Sequence, residues 1–102
     1  MRRHLITAAL LALAALAAMA GPAAADATAK YHCEDGAVFV ATFITSPGAA
    51  DLAFSDGRAV ALPQALSADG GRYATGDDEF WIKGESASLT LAGKSTTCTV
   101  ID

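Results

Sequence analysis

After an alanine- and leucine-rich start, the chain breaks into short runs in which apolar and polar residues alternate. No stretch sustains the 3.6-residue period over a helix's length, so the pattern predicts strands. These are expected over Lys30–Cys33, Ala37–Ile44, Ala50–Phe54, Arg58–Leu62, Gln64–Leu66, Arg72–Ala74, Phe80–Lys83, Ser88–Leu91 and Thr96–Ile101. The connections carry turn chemistry. Asp35-Gly36, Asp56-Gly57 and Ala92-Gly93-Lys94 suit tight hairpins, and Ser46-Pro47-Gly48 a wider one. One face of Ala37–Ile44 would carry Val38, Val40, Thr42 and Ile44 and the other Ala37, Phe39, Ala41 and Phe43, which suits a strand partly covered on both sides. An all-β domain follows, a small antiparallel barrel or sandwich, and closure would remove the exposed edges that so many short strands create. No internal repeat, linker or second domain interrupts it.

The first 25 residues read as a processing segment. Arg2 and Arg3 form a basic start, Leu5 to Ala20 is almost wholly apolar, and Gly21-Pro22 leads to the small residues Ala23-Ala24-Ala25. This is the layout of a secretory signal peptide, with cleavage expected before Asp26. The apolar run falls short of the roughly 20 residues that span a bilayer. No cysteine stands at the cleavage point, where a lipid-anchored bacterial protein needs one, so the expectation is a periplasmic protein without a membrane anchor.

Processing changes the charge. The whole chain has a formal charge of −4, but loss of Arg2 and Arg3 leaves five cations against 11 acids, or −6. So acidic a domain argues against nucleic acid or an anionic membrane and favours a basic partner, through steering that salt weakens. Its small size calls for a staple. Cys33 and Cys98 are the only cysteines, and secretion takes them to an oxidising compartment, so a disulfide joining the first strand to the last is expected. Metal is disfavoured: the cysteines lack CxxC spacing, and His32 would point away from Cys33 on a strand. No cofactor is implied.

The chemistry concentrates in Leu66–Gly84, LSADGGRYATGDDEFWIKG. Two strand-like ends flank the polar stretch Thr75–Glu79, and Asp69-Gly70-Gly71 forms a glycine turn ahead of them. Tyr73, Phe80 and Trp81 would anchor this hairpin to the core, and Lys83 is the only cation between Arg72 and Lys94. By composition alone Lys83 is a lysine on an outer face with its ammonium in water. Asp77, Asp78 and Glu79 are consecutive and lack the alternating spacing of a calcium loop, so they read as a solvated turn. Nothing sets the separation of Asp69 and Glu85 that a glycosidase pair would need. Ser67, Ser86 and Ser88 lack a nucleophile motif, and His32 beside a disulfide is a poor base, so catalysis is not expected.

The stretch resembles the signature of bacterial inhibitors of c-type lysozyme, which runs approximately S-x-S-G-x-[KR]-Y, then aromatic-W-x-K-G. Ser67, Gly70, Arg72, Tyr73, Phe80, Trp81, Lys83 and Gly84 match in register, and Tyr31-x-Cys33 and Cys98 extend the resemblance over nearly the whole mature chain. One position departs: Asp69 stands where the family has its second serine. The resemblance implies an eight-stranded antiparallel barrel and a basic partner, a c-type lysozyme. It also implies a binding surface of Ser67, Asp69, Gly70, Arg72, Tyr73, Lys83 and Gly84, whose lysine and loop enter the enzyme's cleft and engage its catalytic carboxylates. Two other readings stay open, a secreted barrel that binds another basic periplasmic protein or cell-wall lytic enzyme, and a cell-envelope hydrolase.

Overall fold

The computed structural model describes residues 26–101, so the signal-peptide reading of residues 1–25 lies outside them. Eight strands follow one another: β1 (Ala27–Cys33), β2 (Val38–Ile44), β3 (Ala49–Phe54), β4 (Ala59–Ala65), β5 (Gly71–Thr75), β6 (Asp78–Lys83), β7 (Ser86–Leu91) and β8 (Lys94–Val100). Each pairs antiparallel with its sequence neighbours, and β1 closes on β8. The expected all-β barrel is what forms.

Period-2 alternation selects the interior. In β3 the inward residues are Ala50, Leu52 and Phe54; in β7 they are Ala87 and Leu89. The interior is aromatic at its centre, where the Phe39 ring lies 5.3 Å from Tyr31, 5.0 Å from Phe54 and 5.4 Å from Phe80. Phe39, Phe80, Leu52 and Leu62 are fully enclosed. Burial of such side chains contributes about 1.5–3 kcal/mol each, the largest favourable term in so small a core. Strand β2 buries chiefly one face: Phe39 and Ala41 point in, whereas Val40 is 40% exposed. Tyr31 is enclosed here too, and burial first, then the neighbouring Tyr73, pushes its phenol above the ordinary tyrosine range.

Cys33 and Cys98 face each other across the β1–β8 seam and are disulfide-bonded. The bridge closes a span of 65 residues. In the chain-entropy picture a loop of that length contributes roughly 4 kcal/mol, comparable to the whole stability of many small domains.

Two expectations from the sequence change. Arg58–Leu62 and Gln64–Leu66 were expected as separate strands but are one strand, β4, which runs through Pro63. Proline is tolerated because β3 pairs with β4 as far as Pro63 while pairing with β5 begins only at Gln64, so no ladder on both sides demands its missing N–H there. The polar stretch Thr75–Glu79 is also shorter as a loop than its composition suggests. Asp78 pairs with Thr75 and Glu79 with Ala74, which leaves Gly76 and Asp77 as a two-residue turn with Gly76 at φ +58°.

Alternate connections lie at opposite ends of the barrel. One end collects the turns after β1, β3, β5 and β7; the other collects those after β2, β4 and β6. The second end carries the candidate site.

Candidate functional site

The hairpin of β5 and β6 positions the site. Its register places Arg72 opposite Trp81, Tyr73 opposite Phe80 and Gly71 opposite Ile82. Alternation along β6 then sends Phe80 into the core and leaves Trp81 and Lys83 outside. The expectation that Trp81 anchors the core is therefore corrected, while Phe80 does so. The signal was available: two residues separate Trp81 from Lys83, so a strand puts both on one face. Aromatic character was read as core at both positions, although a strand can bury only one of two adjacent side chains on a given face.

On that outer face the Lys83 ammonium stands 4.3 Å from the centre of the Trp81 ring, and the Arg72 guanidinium 5.6 Å from it. Both fall within the range in which a cation is attracted to an indole face. Arg72 has two further contacts. Its Nε donates to Glu79 at 2.6 Å, and its Nη1 donates to the Leu66 carbonyl at 3.2 Å. Glu79 is thus the partner of Arg72 across the hairpin, not part of a merely solvated turn. The neighbouring Asp78 accepts the Ala92 amide at 2.8 Å, which draws it toward the β7–β8 turn.

Between β4 and β5 the Leu66–Gly70 loop folds over this face. Trp81 Nε1 donates to the Asp69 carbonyl at 3.1 Å, and the Ser67 hydroxyl donates to the same oxygen. Gly70 has φ +66°, and a Cβ there would stand 1.9 Å from the Ile82 carbonyl oxygen. Only glycine lets the loop lie this close to β6. Leu66 is 94% exposed at the loop's start. Beside it runs a groove lined by Pro47, Gly48, Gln64, Ser67, Gly70 and Arg72.

Of the residues singled out by sequence, Ser67, Asp69, Gly70, Arg72 and Lys83 meet at this end, and Gly84 begins the adjoining β6–β7 turn at φ +65°. Tyr73 sits differently. Its ring packs inward against the core, 5.7 Å from Phe43 and 6.5 Å from Phe80. The Asp69 side chain is exposed, and neither pairing with Arg72 nor capping of the glycine turn engages its carboxylate among the described residues. His32 lies exposed on β1, next to the buried Cys33. No group of three or more histidine, cysteine or acidic side chains suited to a metal occurs among the described residues. No helix among them is long and apolar enough to cross a membrane.

Known proteins are similar to this chain. A solved structure of Pseudomonas aeruginosa MliC in complex with hen egg white lysozyme superposes with a TM-score of 0.64 at 28% identity, covering 79% of this chain and 90% of that one. A membrane-bound lysozyme inhibitor of C-type lysozyme from Cupriavidus necator is 36% identical over 61 residues, 59% of this chain. The match spans 49% of that curated relative, about half its length. Residues 31–97 match the profile described as membrane-bound lysozyme-inhibitor of c-type lysozyme. That span runs from the Tyr31 of the core through the hairpin with its lysine to the strand of Cys98, and so the chain belongs to the MliC family of lysozyme inhibitors.

Proposed function

We propose that this protein inhibits a c-type lysozyme by placing Lys83 and the Leu66–Gly70 loop in the enzyme's catalytic cleft. The observation that carries the reading is the Lys83 ammonium held over Trp81 beside a loop tied down at Leu66 and Asp69, in a chain of the MliC family. A retaining lysozyme needs one carboxyl protonated as general acid and its partner ionised. An ammonium between the two favours both ionised forms, so the acid loses the proton it must donate. The loop excludes the sugar chain at the same time. Ser67, Gly70 and Arg72 would shape the inserted surface, Tyr73 would support it from below, and Gly84 would let β6 end directly after the lysine.

The proposed place of action is the periplasm, reached through removal of residues 1–25. The layout of that segment supports the reading, and fractionation of the producing cells tests it: protein retained with the membrane pellet would refute it.

A wall-lysis assay tests the function. Lysozyme-catalysed lysis slowed in proportion to added protein is the expected result. Unchanged lysis would favour the second reading, a barrel that binds another basic periplasmic protein or lytic enzyme. The exposed Asp69 carboxylate is the feature that favours it, because it brings negative charge to the surface that would face two enzyme carboxylates. Lysis by the protein alone would point instead to a hydrolase.

A further inference from the structure

We infer that Trp81 is the positioning residue of this end of the barrel, fixing the spacing between the Lys83 ammonium and the Ser67–Gly70 loop through a single indole ring. Every other aromatic side chain of the barrel, Tyr31, Phe39, Phe43, Phe54, Tyr73 and Phe80, belongs to the core or packs against it. Trp81 does not; its ring lies outside the barrel wall, where the core gains nothing from its size. What the ring does touch is the site. Its face receives Lys83 at 4.3 Å, its Nε1 holds the Asp69 carbonyl at 3.1 Å, and Arg72, 5.6 Å from the ring, holds the Leu66 carbonyl at 3.2 Å. Lysine and loop lie at the two ends of the Leu66–Gly84 stretch, and the indole is the group that both contact.

The physical consequence is preorganisation. A free lysine side chain is among the most rotamer-rich, and a glycine-bearing loop is mobile, so ordering both on binding would cost affinity. An indole that already attracts the ammonium and already bonds the loop carbonyl removes part of that cost in the free protein. Trp81 acts through Lys83 and the loop and is not itself required to touch the partner.

The inference deepens the lysozyme reading and depends on it only for the binding arm of its test. Trp81 is the sole tryptophan, so the 15N-labelled protein shows one indole N–H resonance. In the free protein Lys83→Ala is expected to shift that resonance, and Trp81→Phe to loosen the Ser67–Gly70 amides in relaxation measurements while the amides of β1 to β3 and the melting temperature stay put. With hen egg white lysozyme as the probe, Trp81→Leu is expected to weaken inhibition about tenfold, and Trp81→Phe, which keeps a ring face without the N–H, by less. In a Lys83→Ala background the Trp81→Leu loss is expected to shrink, because its main client is gone. Loop amides and inhibition unchanged in Trp81→Leu would overturn the inference. Losses that add fully in the double variant would also overturn it, by making the indole a direct contact. Should the wild-type protein leave lysozyme untouched, the proposed function falls, and the free-protein spectra still decide whether the indole positions lysine and loop.

Discussion

The two ends of the barrel use the same residue types for opposite purposes. At the far end, glycines and aspartates close tight turns: Gly36 and Gly57 take positive φ, and Asp35 and Asp56 accept the amides of Ala37 and Arg58 two residues on, at 3.0 Å each. Asp78 likewise accepts an amide of the β7–β8 turn. At the site end, Asp69 offers its backbone carbonyl to Trp81 and Ser67 and leaves its carboxylate facing water, while Gly70 serves close approach of a loop to β6. At the far end the carboxylates of Asp35, Asp56 and Asp78 serve turns of the fold, whereas at the site end the Asp69 carboxylate faces water.

Charge divides in the same way. Glu34, Asp35, Asp56, Asp77 and Asp78 outnumber Arg58 and Lys94 at the far end, whereas the other end carries Arg72 and Lys83 with Asp26, Asp69 and Glu85. The net negative charge therefore raises the rate of encounter with a basic protein without pointing the site toward it. In the proposed mode of binding, orientation would fall to local features, the exposed lysine and the loop.

The largest effect should come from the staple. Cys33 ends β1 beside the first far-end turn, and Cys33→Ser should lower stability by roughly 2 to 5 kcal/mol. Under conditions where the variant remains folded, inhibition should persist, since the bridge is buried inside the barrel and Lys83 stands on its outer face. Denaturant melts paired with lysis assays check this. A folded variant that has lost inhibition would show that the two ends are not separable.

A lysine from each end gives the second test. Lys83→Ala should weaken lysozyme binding by roughly 2 to 5 kcal/mol with little change in melting temperature, whereas Lys94→Ala, at the β7–β8 turn, should leave binding unchanged. Equal inhibition constants for the two variants would reduce Lys83 to an ordinary surface lysine.

Glycines sharpen the contrast further. Gly57→Ala meets open space and should cost only the strain of a positive φ, about 1 kcal/mol. Gly70→Ala adds a backbone clash and should cost about 2 kcal/mol or more, with weaker inhibition besides, because the loop must lift off β6. Melting curves and inhibition constants of the pair decide it. If Gly70→Ala behaves like Gly57→Ala, the loop is not held against β6 in solution.

Much of this was legible in the sequence because strand alternation and turn residues are local signals. The all-β architecture and the disulfide follow from period-2 pattern, cysteine count and compartment, and the eight-stranded barrel from the family resemblance; Phe80 was expected in the core, whereas both faces of the strand that carries Phe39 were expected to be partly covered. Pro63 was misread as a break since its tolerance depends on where the β4–β5 ladder begins, a property of register between strands and not of the residue. The Arg72–Glu79 pair and the Trp81 contacts were missed for a related reason. They arise when β5 and β6 pair in one register, which brings residues seven and twelve positions apart into contact. Spacing along the chain shows who shares a face, and the partners across the ladder emerge only with the fold.

The smallest expected effect concerns the two aspartates that define the comparison. Asp56 is used by its own turn: the Arg58 amide first, and then the Arg58 guanidinium, hold its carboxyl below the usual carboxylate range. A depressed folded value stabilises above the unfolded value and is lost as pH falls through the folded one, so Asp56→Ser should erase a slight stabilisation that the wild type keeps near neutrality and loses in acid. Inhibition should not change. Asp69 has no such local use, and its charge would approach two enzyme carboxylates, where an ionised acid can only accept hydrogen bonds. A serine at that place can donate one. Asp69→Ser should therefore tighten inhibition of a c-type lysozyme at pH 7 by about 1 kcal/mol, with melting temperature unchanged. Inhibition constants for the two serine variants, measured side by side, check the claim. A weaker constant for Asp69→Ser would mean that the carboxylate meets a cation on the partner, and the search for the target should then move from c-type lysozymes to another basic protein.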